Sequence, residues 1–297
     1  MANAETPRAY GSSLGPALLG QRFSVRAGAR VPASLLAAGT LGPFAASELV
    51  TTYVDPIVGI ALHAIVLSAL ILAAGLTAEA RPGAEAAHIS RLLYALTLVP
   101  LIRIISLSMP LARFDAALWY LMAGLPVFLA GLVIMGGVGL RPGAVGLRLN
   151  RSPLQPAVML LGFGLGFIEY QILRPEPLIA EPTLARFVLP ALILLVATGF
   201  LEEFLFRGIL QTVASGPFGG LAVIYVAVVF AILHIGYRSA TDVVFVLTIA
   251  LVYGWVVRRT GSIMGVSVSH GITNIVLFLV VPFIPALSVR PDWLTLP

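Results

Sequence analysis

Three hydrophobic stretches in the second half of the chain contain polar and ionisable side chains that lipid penalises. In chain order these residues are Glu202, Glu203, Arg207, His234, His270 and Asn274. On insertion scales, each charged side chain at the centre of a membrane-spanning helix costs about 3 kcal/mol. Such groups must face one another or a water-filled cavity, and by default they mark a functional site. Carboxylates and imidazoles brought together can perform general acid–base chemistry or bind a metal ion.

The first stretch contains two glutamates whose neighbours give them different roles. Glu203 and Arg207 are four residues apart, so on a helix they share one face with the acid before the base, the order that favours a salt bridge. Glu202 points about 100° away from Glu203 and has no evident local partner. A carboxylate in that position suits a general base. The structural alternative is one ion network of all three residues.

The other two stretches contain the histidines. His270 and Asn274 are four residues apart and point in the same direction on a helix. His234 follows Phe230 by four residues, and a lone intramembrane histidine is often a hydrogen-bonded core residue. Hydrogen bonding between helices is the structural alternative for His270 and Asn274.

The hydrophobic segments of the sequence lack the motifs of other hydrolases. The chain contains no H-E-x-x-H, its one G-x-S-x-G pattern (residues 11–15) falls in the predicted tail, and its four aspartates fall in or beside predicted loops. The chain has no cysteine, which excludes disulfides, thiolate ligands and cysteine nucleophiles. These absences leave the glutamates, the histidines and the asparagine as the candidates for chemistry.

The elements that position these residues are predicted to be membrane-spanning helices. Hydrophobic residues make up 59% of the 297 residues and charged residues only 10%, whereas a soluble domain has about 25% charged residues. Lipid is therefore the expected solvent. The formal net charge is +5, but the arginines are scattered among loops, so we expect no nucleic-acid partner.

The hydropathy pattern predicts an all-α, polytopic membrane helix bundle of about eight transmembrane helices with its site inside the bilayer. The predicted spans are residues 56–75, 91–109, 116–138, 156–173, 187–212, 219–237, 243–258 and 263–285. Pro100 and Arg103 interrupt the second span. Residues 1–50 are predicted to be an N-terminal tail in which one interfacial helix could form. Residues 51–290 are predicted to form a single transmembrane domain, with the site-bearing core at about 187–285.

At these residues the sequence resembles a known family. Residues 202–208, 230–234 and 270–274 resemble the motifs E-E-x-x-x-R, F-x-x-x-H and H-x-x-x-N/D of the CAAX-processing and bacteriocin-processing, abortive-infection-like intramembrane proteases. Each motif is short, but their order on successive hydrophobic segments makes the combination specific. The resemblance implies an intramembrane endopeptidase acting on membrane-associated polypeptides, which in eukaryotic members are prenylated CAAX proteins.

The resemblance also implies roles for the motif residues. Glu202 would activate a water molecule with help from His234, and His270 and Asn274 would stabilise the oxyanion. The residues implied to support the helix arrangement are Glu203 and Arg207. A catalytic zinc held by Glu202, His234 and His270 is the alternative. Asn274 is a poor zinc ligand but a good hydrogen-bond donor, which favours a scheme that requires no metal cofactor.

Two other classes of membrane protein could contain such a buried cluster: a non-catalytic immunity or scaffold protein, and a transporter that couples to protons. Retention of every motif residue favours the enzyme, and the lack of two similar broken-helix halves argues against the transporter. We expect a multi-pass protein of the prokaryotic cell membrane. Its expected partners are the lipid bilayer and a membrane-associated polypeptide substrate.

Three features outside the motifs also receive an interpretation. Glu169 could line the site cavity or pair with an arginine near the membrane interface, and the pairing is favoured. His63 is interpreted as a satisfied core histidine. Gly162, Gly164 and Gly166 are small residues that predict close helix packing in the fourth span.

Overall fold

The computed structural model describes residues 31–80, 83–109 and 114–288, and these residues form helices and connecting segments without any strand. The predicted all-α fold class is therefore confirmed. The α-helices are α1 (Ala33–Tyr53), α2 (Pro56–Ala80), α3 (Ala84–Leu96), α4 (Leu98–Ser108), α5 (Ala116–Gly137), α6 (Leu154–Leu173), α7 (Leu184–Ile193), α8 (Leu201–Glu203), α9 (Gln211–Phe218), α10 (Ala222–Leu233), α11 (Ala240–Thr260), α12 (Met264–Ile275) and α13 (Pro285–Ser288).

Eight helices among the described residues are long and apolar enough to cross a membrane. They are Ala33–Tyr53, Pro56–Glu79, Ala84–Ser108, Ala116–Gly137, Leu154–Leu173, Leu184–Tyr237, Ala240–Thr260 and Met264–Phe283. The protein is therefore a multi-pass integral membrane protein. The second predicted span, residues 91–109, overlaps Ala84–Ser108 in all but its last residue, and within that helix Thr97 separates α3 from α4. Pro100 falls in the first turn of α4, where a missing backbone N–H costs little.

Helix α1 differs from the expectation for this part of the chain. Residues 33–50 belong to the predicted tail, yet they form most of a helix of spanning length, Ala33–Tyr53. Its buried residues are mostly polar: Thr40, Ser47, Glu48 and Thr52 besides Phe44. These polar side chains face the protein rather than lipid, so the segment has the lowest hydropathy of the eight spans. Residues 1–30 of the predicted tail lie outside the described residues. The division into a tail and one transmembrane domain stays a prediction.

The longest candidate span, Leu184–Tyr237, contains both the fifth and the sixth predicted spans. Gly219 has a φ of 55°, and Gly219–Leu221 form a short 3₁₀ turn there. Phe206 contacts Phe230 with ring centroids 4.8 Å apart, and Phe218 stacks on Tyr225 at 4.4 Å. These pairs show that the chain reverses at the turn. The segment therefore consists of two antiparallel arms, and the second of them leads to His234.

Two π-helical segments flank the glutamates. Leu194–Phe200 and Phe204–Leu210 are π-helical, and the three residues of α8 lie between them. Wide turns of this kind are rare and occur most often at functional sites. Gly199 belongs to the first of them, and a Cβ atom there would lie 2.5 Å from the backbone nitrogen of Gly271. The first of these wide turns therefore lies where this helix touches the backbone of α12.

Helices α6 and α12 form the most extensive pair in the described bundle. A Cβ atom on Gly162 would lie 2.4 Å from the carbonyl oxygen of Ser269, and one on Gly166 would lie 2.4 Å from that of Thr273. Gly164 points the other way, and a Cβ atom there would meet nothing within 4 Å. Two of the three glycines thus allow the backbones to touch, as small residues do in membrane helices.

Gly166→Leu is expected to destabilise the protein by about 1–3 kcal/mol, because the new side chain forces α6 away from α12. Gly164→Leu is the matched control, since the same substitution there points into open space. Thermal unfolding of the purified variants in detergent measures the difference. Equal stability of the two variants would contradict the backbone contact.

Candidate active site

Glu203 is the buried centre of the polar cluster. Its side chain is 0% exposed, and Oε1 accepts hydrogen bonds from Arg207 Nη1 at 3.0 Å and from His270 Nδ1 at 2.9 Å. The Arg207 guanidinium also lies over the Phe230 ring, 4.4 Å from its centroid. The structure thus pairs Glu203 with Arg207 as the four-residue spacing predicts, and it adds His270 from α12. The cost of burying the carboxylate charge is compensated here by a cation and a second hydrogen-bond donor, whereas a lone buried carboxylate would have no such compensation.

His270 is oriented by this carboxylate. Because Glu203 can only accept, Nδ1 donates, and Nε2 is the nitrogen that faces Glu202. His270 Nε2 lies 3.8 Å from Glu202 Oε2, beyond direct hydrogen-bond range but within reach through a water molecule. Glu202 is one-third exposed, at 34%, so the two adjacent glutamates have different environments. Glu202 is therefore free to act on another molecule, whereas Glu203 is not.

His234 lies at the end of the second arm, at the start of a 3₁₀ turn formed by His234–Tyr237. Its Nδ1 donates to the carbonyl oxygen of Phe230 at 2.9 Å, which explains the four-residue spacing of this motif. The ring is held between Phe230, at 4.8 Å, and Tyr237, at 5.7 Å. Because Nδ1 is used by the backbone, Nε2 is left as the nitrogen that can accept a proton.

The two histidines share a cavity of about 30 Å³, which has room for one water molecule. Its lining residues are Glu169, Glu203, Arg207, Phe230, His234, Val246, Ile249, Tyr253, His270 and Thr273. Glu202 is not one of these lining residues, but its Oε2 lies 3.8 Å from Nε2 of the lining residue His270. Side chains from five separate helical segments therefore meet around one small polar space, as the cost of burying polar groups in lipid requires.

Asn274 is placed one turn beyond His270 but is tied to the first π-helical segment. Its Nδ2 donates to Thr198 Oγ1 at 2.8 Å, and Thr198 donates in turn to the carbonyl oxygen of Leu194. Asn274 is not among the residues that line the chamber. The amide retains a second N–H for another acceptor. The structure thus brings five of the six predicted residues together and leaves Asn274 at the edge.

The residues do not fit the alternative in which zinc is held by Glu202, His234 and His270. Within the described ranges no group of three or more histidine, cysteine, aspartate or glutamate side chains is arranged to hold a metal ion. Among these three side chains, only His270 Nε2 and Glu202 Oε2 are found close together, at 3.8 Å, and His234 completes no three-ligand group with them. No chemical step through zinc follows from this geometry.

Sequence reasoning missed Arg103, which it treats only as an interruption of a span. Arg103 Nε donates to Glu48 Oε1 at 2.6 Å, and Nη2 donates to the carbonyl oxygen of Leu233, the residue before His234. His63 Nε2 lies 3.4 Å from the same Glu48 oxygen, but among the described residues neither ring nitrogen of His63 makes a hydrogen bond. The structure therefore does not show the satisfied core histidine expected from the sequence. A polar contact from α1 and α4 thus anchors the turn that carries His234.

Arg103→Gln is expected to destabilise the protein by about 2 kcal/mol. Breaking a fully buried ion pair costs about 3–5 kcal/mol of stability. The loss here is expected to be smaller because the Arg103 side chain is 20% exposed, although Glu48 is only 1% exposed. Arg186→Gln, at an ion pair whose partners are 54% and 64% exposed, should change stability by no more than about 1 kcal/mol. Thermal unfolding in detergent compares them, and similar losses would contradict the anchoring contact.

Comparison with known proteins supports the motif assignment. Residues 184–276 match the Rce1-like family model, described as type II CAAX prenyl endopeptidase Rce1-like. No curated protein and no solved structure matches the chain. The matched segment contains all six predicted site residues and ends before the last turns of the bundle. This match confirms the family resemblance that the three motifs indicate, and the family is one of peptidases.

Proposed function

We propose that this protein, through the segment that matches the Rce1-like family, is an intramembrane endopeptidase that hydrolyses peptide bonds of membrane-associated polypeptides. The observation that carries the proposal is the approach of His270 Nε2 to Glu202 Oε2, fixed by the buried Glu203 on the opposite side of the ring. A partly exposed carboxylate next to an oriented imidazole can take a proton from water and stabilise the charge that develops.

In this mechanism Glu202 is the base. It removes a proton from a water molecule, and the water oxygen attacks the carbonyl carbon of the scissile peptide bond. His234 assists through Nε2, the nitrogen left free by the backbone bond to Phe230. Glu203 and Arg207 act by positioning His270, since both are almost fully buried.

The oxyanion of the tetrahedral intermediate is the second requirement. His270 supports it in its protonated form, in which Nε2 donates as well as Nδ1, and Asn274 supports it with the N–H that Thr198 does not use. A preorganised donor in a site that excludes water contributes about 3–4 kcal/mol toward such an intermediate.

The proposed scheme requires no metal cofactor. Extensive dialysis of the purified protein against a chelator is therefore expected to leave peptide cleavage unchanged. If dialysis abolished cleavage and added zinc restored it, the metal-free scheme would be wrong.

The surroundings of the site support a membrane-anchored polypeptide as the class of substrate. The chamber lies among spanning helices, so a substrate must reach it from the bilayer or its surface. A polypeptide held at the membrane by a spanning segment or a lipid anchor fits this requirement, and the family match makes a prenylated CAAX-type C-terminus the first candidate. We place the protein in the cell membrane of a prokaryote.

The experiment uses the full chain reconstituted in liposomes. The panel contains peptides ending in a CAAX-type sequence, each with and without a prenyl group, and signal-peptide-like segments, and products are identified by mass spectrometry. We expect internal cleavage at one defined bond of at least one membrane-bound peptide. No cleavage of any peptide, together with saturable binding of a membrane partner, would replace the enzyme by a scaffold or immunity protein.

A further inference from the structure

Glu169 is a carboxyl group of the chamber that the proposed mechanism does not use. It lies on α6, outside the segment that matches the family model, and is 8% exposed. Within the described part of the chain, no hydrogen bond or ion pair engages its carboxyl group. The arginine pairing favoured for it from the sequence is not formed among these residues, and Glu169 lines the cavity instead.

The packing of α6 on α12 explains why Glu169 reaches the chamber. Gly162 and Gly166 bring the two backbones into contact at Ser269 and Thr273. Glu169 follows these glycines by seven and three residues, so it lies on the same stripe of α6. Helical side chains also lean toward the N-terminus of their helix, which directs Glu169 back toward the level of Thr273 and His270.

Within the chamber, Glu169 is the carboxyl group with both oxygens left to bond a reacting molecule. Glu203 Oε1 is committed to Arg207 and His270, and its Oε2, which makes no hydrogen bond among the described residues, is fully buried. Glu169 faces the same water-sized space as His234 and His270 but has neither an arginine nor a backbone donor as a partner. A carboxyl group that carries its proton needs no cation beside it in an apolar surrounding. Such a group can act as a proton donor.

We propose that Glu169 is the general acid that protonates the leaving amine, a role that rests on the proposed peptidase function. One proton of the attacking water passes to Glu202 while the water oxygen bonds to the carbonyl carbon. The C–N bond then breaks as its nitrogen takes the proton of Glu169. The proton held by Glu202 returns to Glu169 through a water molecule, and both carboxyl groups regain their starting state.

The test compares two leaving groups in Glu169→Gln, which keeps the size and polarity of the side chain but removes its acidic proton. One substrate is a cleaved peptide from the panel, and the other is the nitrophenyl ester of the same acyl segment. Turnover of the peptide should fall about a hundredfold, because an amine cannot leave without a proton. Ester turnover should stay within about threefold of wild type, because nitrophenolate leaves unprotonated.

Controls separate this role from a structural one. Glu202→Gln should lose activity on both substrates, and Glu169→Asp should recover part of the peptide activity because it restores a proton donor on a shorter side chain. An equal loss on both substrates in Glu169→Gln, or unchanged peptide turnover, would overturn the inference. If the wild-type protein cleaves no peptide at all, the proposed function itself fails, which is a different result.

Discussion

Glu202→Gln is expected to lower peptide turnover by about a thousandfold, within the range that a positioned acid or base contributes. The substitution keeps the size and polarity of the side chain but removes the partly exposed carboxylate that lies beside His270. Because the polypeptide is bound by the surrounding helices, KM should change little while kcat falls. Initial rates over a range of substrate concentrations in liposomes measure both constants.

The matched control for this variant is Glu181→Gln. Glu181 is 64% exposed and lies 3.7 Å from Arg186 in a surface ion pair, so the same chemical change there should leave turnover as in wild type. Thermal unfolding checks that Glu202→Gln is as stable as its control. A Glu202→Gln protein that keeps more than about a tenth of wild-type turnover would remove Glu202 from the role of base.

The site could be predicted from the sequence because lipid makes buried polar groups expensive. Glu203, Arg207, His234 and His270 stand out in hydrophobic segments, and they line one cavity in the structure. The four-residue spacings also correspond to hydrogen bonds in the structure, since Glu203 bonds Arg207 and His234 bonds the backbone of Phe230. Their catalytic roles stay predictions, because geometry alone tests no reaction.

Helix α1 escaped the hydropathy pattern for a physical reason. Its inward stripe contains Thr40, which bonds Tyr225, and Glu48, which bonds Arg103. A helix that buries polar side chains against partners on other helices resembles a soluble segment when its sequence is considered alone. Whether such a segment forms a spanning helix depends on its pairing with distant parts of the chain, and a hydropathy pattern contains no information on that pairing.

The face of α6 could have been recognised from the sequence. Glu169 falls on the stripe of Gly162 and Gly166, and a stripe of small residues indicates where another helix backbone lies. A carboxyl group on that stripe must therefore point toward the protein interior rather than toward an arginine at the interface. The π-helical turns around Leu201–Glu203 have no comparable signal, because they depend on a shift in backbone hydrogen bonding rather than on side-chain type.

Arg207→Met is expected to destabilise the protein by about 3–5 kcal/mol and to abolish most of its activity. The substitution leaves the Glu203 carboxylate, which is 0% exposed, without its cation, and it removes the guanidinium from the Phe230 ring. Thermal unfolding in detergent measures the first effect, and cleavage in liposomes measures the second. Wild-type stability in this variant would show that the pair does not compensate a buried charge.

The double variant Glu203→Leu/Arg207→Met separates stability from catalysis. Replacing both members of a buried ion pair by apolar side chains of similar size is often neutral, so most of the lost stability should return. Activity should stay low, because a leucine side chain in place of Glu203 cannot accept the Nδ1 proton, and His270 loses the bond that directs Nε2 toward Glu202. If activity returned together with stability, the orientation of His270 by Glu203 would be unnecessary. Glu203 and Arg207 would then stabilise the fold without positioning the site.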